Sequence, residues 1–180
     1  MYLIKMEQKT KQKPLENKMR EVRIEKIVLS CGAVKEELDK GYKLLERITG
    51  GKPSRRRSYR RIPTFGVRPK MEVGCMVTVR GNEARELLIR LLSGVENQIS
   101  VKKITDNHFS FGIKEYIEIA GEKYDRDLGL IGLKVTVVFS RRGKRTFIKK
   151  IKRGKRTKKQ DVKKQEIIKF MEENFQTEII

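Results

Sequence analysis

The chain has no tryptophan, one histidine, two cysteines and four prolines, and its 23 acidic residues face 44 lysines and arginines. Each shortage closes off a class of chemistry. With His108 as the sole histidine, neither a Cys/His metal cluster of ordinary spacing nor a histidine acid–base pair can be assembled. Cys31 and Cys75 lie far apart, among apolar neighbours and without a C-x-x-C spacing. That pattern predicts two reduced, half-buried thiols in a cytosolic or nuclear chain. No run of eighteen apolar residues exists, and the N-terminal MYLIKMEQKTKQKPLENK is too charged for a secretory core, so neither a membrane span nor secretion is expected. P-loop and G-x-G-x-x-G fingerprints are missing, and Gly129-Leu-Ile-Gly132 lacks the flanking charge of a phosphate-gripping G-x-x-G, so it reads as turn glycines. Glu36 with Glu37 and Glu172 with Glu173 fall on expected helices, where adjacent side chains point apart, and Asp125 with Asp127 is a lone acidic pair. No enzyme activity, metal or cofactor is expected.

What is present in excess is positive charge, +21 net over 180 residues. It is concentrated in two places. Residues 52–70 hold Lys52, Arg55, Arg56, Arg57, Arg60, Arg61, Arg68 and Lys70 with no acid, and residues 141–164 hold fourteen basic residues against Asp161 alone. The second run includes Arg141, Arg142, Lys144, Arg145, Lys149, Lys150, Lys152, Arg153, Lys155 and Arg156. Like charges crowded this way repel unless an anion lies between them, and nucleic-acid phosphates are the usual anion. A membrane-surface helix would need a broad apolar face, which the second run does not have. Polybasic nuclear-localisation signals have a similar composition and overlap these runs.

Periodicity sets out the rest. Residues 1–19 read as a flexible basic arm and 20–180 as a single domain. A strand is expected over Arg20–Ser30, and Val34, Leu38, Tyr42, Leu45 and Ile48 recur at helical spacing up to a Gly50-Gly51 stop. Val73–Arg80 reads as a strand, with Gly81 and Asn82 as turn and N-cap for a helix carrying Ala84, Leu87, Leu88, Leu91, Leu92 and Val95. Phe109, Phe111 and Ile113 alternate, as do Leu133, Val135, Val137 and Phe139, and a last helix begins near Asp161. His108 falls in a loop. This order predicts an α+β two-layer sandwich: a mostly antiparallel sheet, helices packed on one face, long basic loops. Its other face is left for a partner or water.

Heptad-bearing basic helices and zinc fingers, which read DNA bases, are not found. Charge in long loops suits several closely spaced phosphate backbones, as in folded RNA. Phe109, Phe111, Phe139 and Phe170 fit either a core or a base-stacking sheet. With three prolines and eight cations, residues 52–70 are expected to form an extended, mobile loop without a packed core.

Six segments in order carry a family resemblance: MREVRIEKIVLSCG (19–32), ITGGKP (48–53), FGVR (65–68), VTVRG (77–81), FSFGIKEYIEI (109–119) and YDRDLGLIGLKVTVV (124–138). The chain resembles the large-subunit ribosomal proteins numbered five in bacteria and eleven in eukaryotes, and its basic run with a terminal helix looks like the archaeal and eukaryotic branch. The resemblance implies a structural protein of the central protuberance that binds 5S ribosomal RNA and large-subunit ribosomal RNA. It also implies a loop at 52–70 reaching toward peptidyl-site transfer RNA, with neighbouring large-subunit proteins and a small-subunit head protein as further partners. The implied location is the cytoplasmic ribosome, with passage through the nucleus and nucleolus during assembly in a eukaryote. The family's RNA-contacting Asn, Gln and Thr carry over to Ser30, Gly51 and Thr78, of which Thr78 alone keeps the family residue. A ribosome-assembly or RNA-chaperone factor is the rival reading of the same charge pattern.

Overall fold

The computed structural model describes residues 17–155 and 158–180. The expected arm at 1–19 lies outside the described residues apart from its last three positions. The architecture is mixed α+β, built on a six-stranded sheet in which all the pairings are antiparallel. Strand β1 (Arg23–Gly32) is flanked by β3 (Glu72–Val79) and β7 (Leu133–Ser140). On the β3 side the sheet ends in β2 (Ser54–Arg57), and on the β7 side it continues through β6 (His108–Ile113) to β5 (Ile104–Thr105). Helices α1 (Glu36–Thr49), α2 (Asn82–Ser93) and α4 (Lys164–Phe175) cover one face, and a four-residue helix α3 (Arg145–Ile148) interrupts the second basic run. A small parallel pair, β4 (Gln98–Ile99) with β8 (Glu178–Ile179), fastens the C-terminus beside the end of α2.

Alternation in the central strands decides which face is covered. Ile27, Leu29 and Cys31 of β1, Cys75, Val77 and Val79 of β3, and Val135, Val137 and Phe139 of β7 are buried and share one cluster with Leu38, Leu44, Leu45 and Ile48 of α1 and Leu87, Leu88, Leu91 and Leu92 of α2. Period-2 strands thus meet period-3.6 helices, each burying one side. Phe109, Phe111 and Phe139 all belong to this layer, so the aromatics build the core and do not form a stacking platform on the other face.

Local chemistry sets the element ends. The first turn of α1 holds Glu36, Glu37 and Asp39, which suit the positive end of the helix dipole, and Gly50 closes it in the left-handed conformation with its N–H donating to Glu46 O at 2.7 Å. Asn82 is the first helical residue of α2, and Gly81 (φ 77°) takes the cap position expected of Asn82. Asp106 and Asn107 make the two-residue turn between β5 and β6, with Asn107 at positive φ. That turn also ties the C-terminal segment to the sheet: Asn107 N–H donates to Val162 O and Val162 N–H donates to Asn107 Oδ1, both at 2.9 Å. His108, expected in a loop, begins β6 because Thr105 pairs across from it.

Residues 52–70 depart from the expected extended loop. The outer edge of β3 takes Ser54–Arg57 as a strand, and further out Ile62 and Val67 form a bridge around a single 3-10 turn at 63–65 closed by Gly66. Backbone donors that a disordered loop would leave to water find partners here: Ser58 N–H bonds Met71 O at 2.8 Å and Lys70 N–H bonds Ser58 O at 2.7 Å. Composition argued against a packed core, and apart from Val67 and Pro53 the segment does stay largely exposed, but an edge strand needs only backbone pairing.

Gly41 lets α1 settle on the sheet. A Cβ there would stand 2.9 Å from Cys31 Sγ and 3.5 Å from Cys75 Sγ. Gly to Ala within an exposed helix normally stabilises by about 0.5–1 kcal/mol, whereas overpacking a filled core costs about 1–3 kcal/mol. Overpacking wins here, so Gly41→Ala is expected to lower the unfolding free energy by about 1 kcal/mol. Urea denaturation measures it, and a stabilised variant would show that α1 lifts off the sheet freely.

Candidate RNA interface

The sheet face away from the helices is largely polar, and among the described residues no helix covers it. Register places its residues in rows across the strands. One row runs Ser54, Met76, Ser30, Lys134, Gly112; the next runs Thr78, Val28, Thr136, Ser110. Neither row contains a carboxylate. Ser30 is half-buried between Met76 and Lys134, and Thr78 at the edge of its row is exposed. The two predicted polar positions therefore share one face, on neighbouring rows of adjacent strands. Gly51 lies apart, just after α1, where a Cβ would touch Val77 and Thr49, so it offers no side chain to this face.

Lys134, Thr136 and Ser110 were not singled out from the sequence. The alternation in LKVTVVF carried the signal: if Leu133, Val135 and Val137 point to the core, Lys134 and Thr136 must point away.

The first basic segment divides in two. Arg55 is held by Asp39 at 2.8 Å and Glu72 at 3.0 Å and lies over the Tyr42 ring, and Arg57 reaches Glu72 at 3.5 Å. Hydrogen bonding from Arg55 holds the Glu72 carboxyl below its ordinary range, so this tie persists at neutral pH and is lost as pH falls through that lowered value. Arg56 projects to the open face beside the Met76 sulfur. Lys52, Arg60, Arg61, Arg68 and Lys70 are exposed, with no ion pair among the described residues, and so are the aromatic rings of Tyr59 and Phe65 near the tip.

A similar division holds in the second segment. Arg141 bonds Glu166 and Lys144 bonds Glu25, while Arg142 approaches Glu21 at 3.8 Å. Burial would raise the Glu166 carboxyl, but the Lys163 N–H and the Arg141 guanidinium together pull it below its usual range. Arg145, Lys149 and Lys150 join Arg23, Ile148 and Ile151 around an open basic pocket. Lys152, Arg153 and Lys155 are exposed, and Arg156 lies outside the described residues. The acids that tie down Arg55, Arg57, Arg141, Arg142 and Lys144 come from distant parts of the chain, which is why local charge counting treated all the cations alike. Among the described residues no group of three or more His, Cys, Asp or Glu could hold a metal ion, and no helix is long and apolar enough to cross a membrane.

Among the described residues, then, no helix covers this sheet face, its two central rows carry no carboxylate, and exposed basic segments extend from it. Residues 17–68 match the family described as Ribosomal protein L5, and residues 72–171 match the model of that family's C-terminus. The chain belongs to the ribosomal protein L5 family. It is 42% identical over 169 residues to the large ribosomal subunit protein uL5 of Nanoarchaeum equitans, covering 92% of this chain and all of that one. The uL5 proteins of Methanosphaera stadtmanae (37% over 154 residues; 85% of this chain, 92% of that one) and Archaeoglobus fulgidus (36% over 174 residues; 96% of each) are similar along nearly their whole length. These relatives are ribosomal proteins and not enzymes.

Proposed function

We propose that this chain is a structural constituent of the large ribosomal subunit whose open sheet face docks on 5S ribosomal RNA while the 52–70 hairpin extends toward peptidyl-site transfer RNA. The observation that carries this reading is the pair of polar rows on the uncovered face, with Ser30, Thr78, Thr136 and Ser110 as hydroxyl donors and acceptors and Lys134 and Arg56 as cations. Short hydroxyl side chains on a rigid sheet suit ribose and phosphate oxygens, which are read by shape and backbone contacts more than by base identity. The exposed cations at 145–155 follow further large-subunit RNA phosphates. Neighbouring large-subunit proteins and a small-subunit head protein complete the setting, in the cytoplasmic ribosome.

Two variants separate the halves of this mechanism. Thr78→Val keeps the β-branched shape and deletes the hydroxyl, so 5S ribosomal RNA affinity is expected to fall by about 1 kcal/mol without unfolding β3. Arg60, Arg61 and Arg68 changed together to Ala spare the Arg55 and Arg57 ties to Asp39 and Glu72. That variant is expected to incorporate into subunits normally and to weaken peptidyl-site transfer RNA binding. Loss of incorporation in the arginine variant, with no change for Thr78→Val in either measurement, would make the hairpin the docking element. Stoichiometric retention in subunits after a high-salt wash supports a structural constituent, and its release there favours an assembly factor.

A further inference from the structure

Cys31 and Cys75 stand outside the RNA face, on the core side of the sheet, and both are free thiols. They are more deeply buried than the half-buried positions expected from sequence, at 4% and 1% exposure. Forty-four residues separate them in the chain, yet the β1–β3 register sets them directly opposite one another. Facing residues of an antiparallel pair have Cα atoms about 4.5–5.5 Å apart, inside the range a disulfide spans. Above them α1 offers Gly41, and both sulfurs lie within 3.5 Å of the point where its Cβ would be. Both thiols donate to backbone carbonyls, Cys31 Sγ to Gly132 O at 3.6 Å and Cys75 Sγ to Cys31 O at 3.8 Å.

The two sulfurs are not equivalent. Hydrogen bonding from Cys31 lowers the Cys75 thiol below its ordinary range against the opposing effect of burial, and the nearby Arg55 guanidinium adds to this, while Cys31 is driven upward by the same pairing. A thiolate is the attacking form of cysteine, so the asymmetry gives Cys75 the first step. At the strand ends an open groove of about 560 Å³ is lined by both cysteines, by Gly32, Gly74 and Gly132, which have no side chains to close it, and by Ser30, Met76 and Lys134 of the open sheet face.

We propose that Cys31 and Cys75 form an oxidisable cross-strand dithiol, which a water-sized hydroperoxide converts to a disulfide fastening β1 to β3. The Cys75 thiolate attacks one peroxide oxygen, the O–O bond breaks, and Cys75 sulfenic acid and hydroxide result. The Cys31 sulfur then attacks the Cys75 sulfur: the S–S bond forms, the S–O bond breaks, and the hydroxyl leaves as water with the Cys31 proton. In net balance the two thiols give up two electrons and two protons, and one hydrogen peroxide becomes two waters. This inference is independent of the RNA reading and survives its failure.

The full-length protein, free of reductant, is treated with hydrogen peroxide, quenched with catalase, denatured, alkylated with iodoacetamide and weighed by mass spectrometry. The oxidised chain is expected to have lost two hydrogens, to take no label and to run as a monomer on a non-reducing gel, and dithiothreitol is expected to restore two labels. A bulky maleimide is expected to label neither thiol of the native protein. In Cys31→Ser the sulfenic acid stays on Cys75 and is trapped by dimedone, whereas Cys75→Ser takes up none. Two labels persisting in the unmutated protein, at peroxide levels that fully oxidise glutathione alongside it, would overturn the proposal. A disulfide found only between molecules would do the same, and neither result depends on a variant that folds.

Discussion

Between about 50 and 200 mM salt, the affinity of the free protein for 5S ribosomal RNA is expected to fall by about a thousandfold or more. Each phosphate neutralised by a lysine or arginine releases condensed counterions, so the logarithm of the binding constant falls in proportion to the number of contacts. The candidates are drawn from the cations with no ion pair among the described residues, and include Lys52, Arg56, Arg60, Arg61, Arg68 and Lys70 in the hairpin, Arg145, Lys149, Lys150, Lys152, Arg153 and Lys155 in the second segment, and Lys134 on the sheet. About six to ten of these in contact are enough for the expected slope. Arg55, Arg57 and Arg141 are excluded, since their charges already answer Asp39, Glu72 and Glu166. Isothermal titration at several salt concentrations measures the slope, and a flat response would refute recognition led by charge. An unrelated folded RNA is expected to give a similar slope at lower affinity, because phosphate contacts position the protein without reading sequence.

Truncating Phe139 is expected to remove about 3–5 kcal/mol of stability, a large part of the roughly 5–15 kcal/mol typical of a folded domain. Phe139 is wholly buried on β7, stacked on Phe109 with centroids 5.8 Å apart and edge-on to Phe170 of α4 at 5.6 Å. Phe170 in turn meets Phe175 at 6.2 Å, so one ring joins the sheet to the terminal helix. Phe139→Ala loses the buried area and the contacts with the Phe109 and Phe170 rings, and leaves a cavity between the sheet and α4. Chemical denaturation of the variant is the test. A loss below about 1 kcal/mol would show that α4 is held by its other contacts, among them the Asn107–Val162 exchange.

Most of the scaffold was legible because the signals are local. The two-residue alternation of LKVTVVFS and the 3.6-residue recurrence through Ala84, Leu87, Leu88, Leu91 and Leu92 each require only one strand or helix to be read, and both elements stand where periodicity placed them. Ser30 and Thr78 were found through family resemblance, since nothing in a strand serine or threonine distinguishes it from its neighbours. The edge strand Ser54–Arg57, the two-residue strands β4 and β8 and the bridge at Ile62 and Val67 were illegible. They are too short for a period, and backbone pairing along an edge leaves little mark on composition.

The sequence by itself determined the charge, the two basic segments, the order of the long elements and which side of each strand is apolar. Tertiary structure alone decided which cations remain available, because Asp39 lies sixteen residues and Glu72 seventeen residues from the Arg55 they hold. It also decided that the polar residues of five strands meet in rows on one uncovered face, and that two cysteines with no paired spacing lie opposite each other beneath a glycine. The reason is one of range. Periodicity and composition act within a few residues, whereas strand register and ion pairing couple positions that only chain closure brings within a few ångströms.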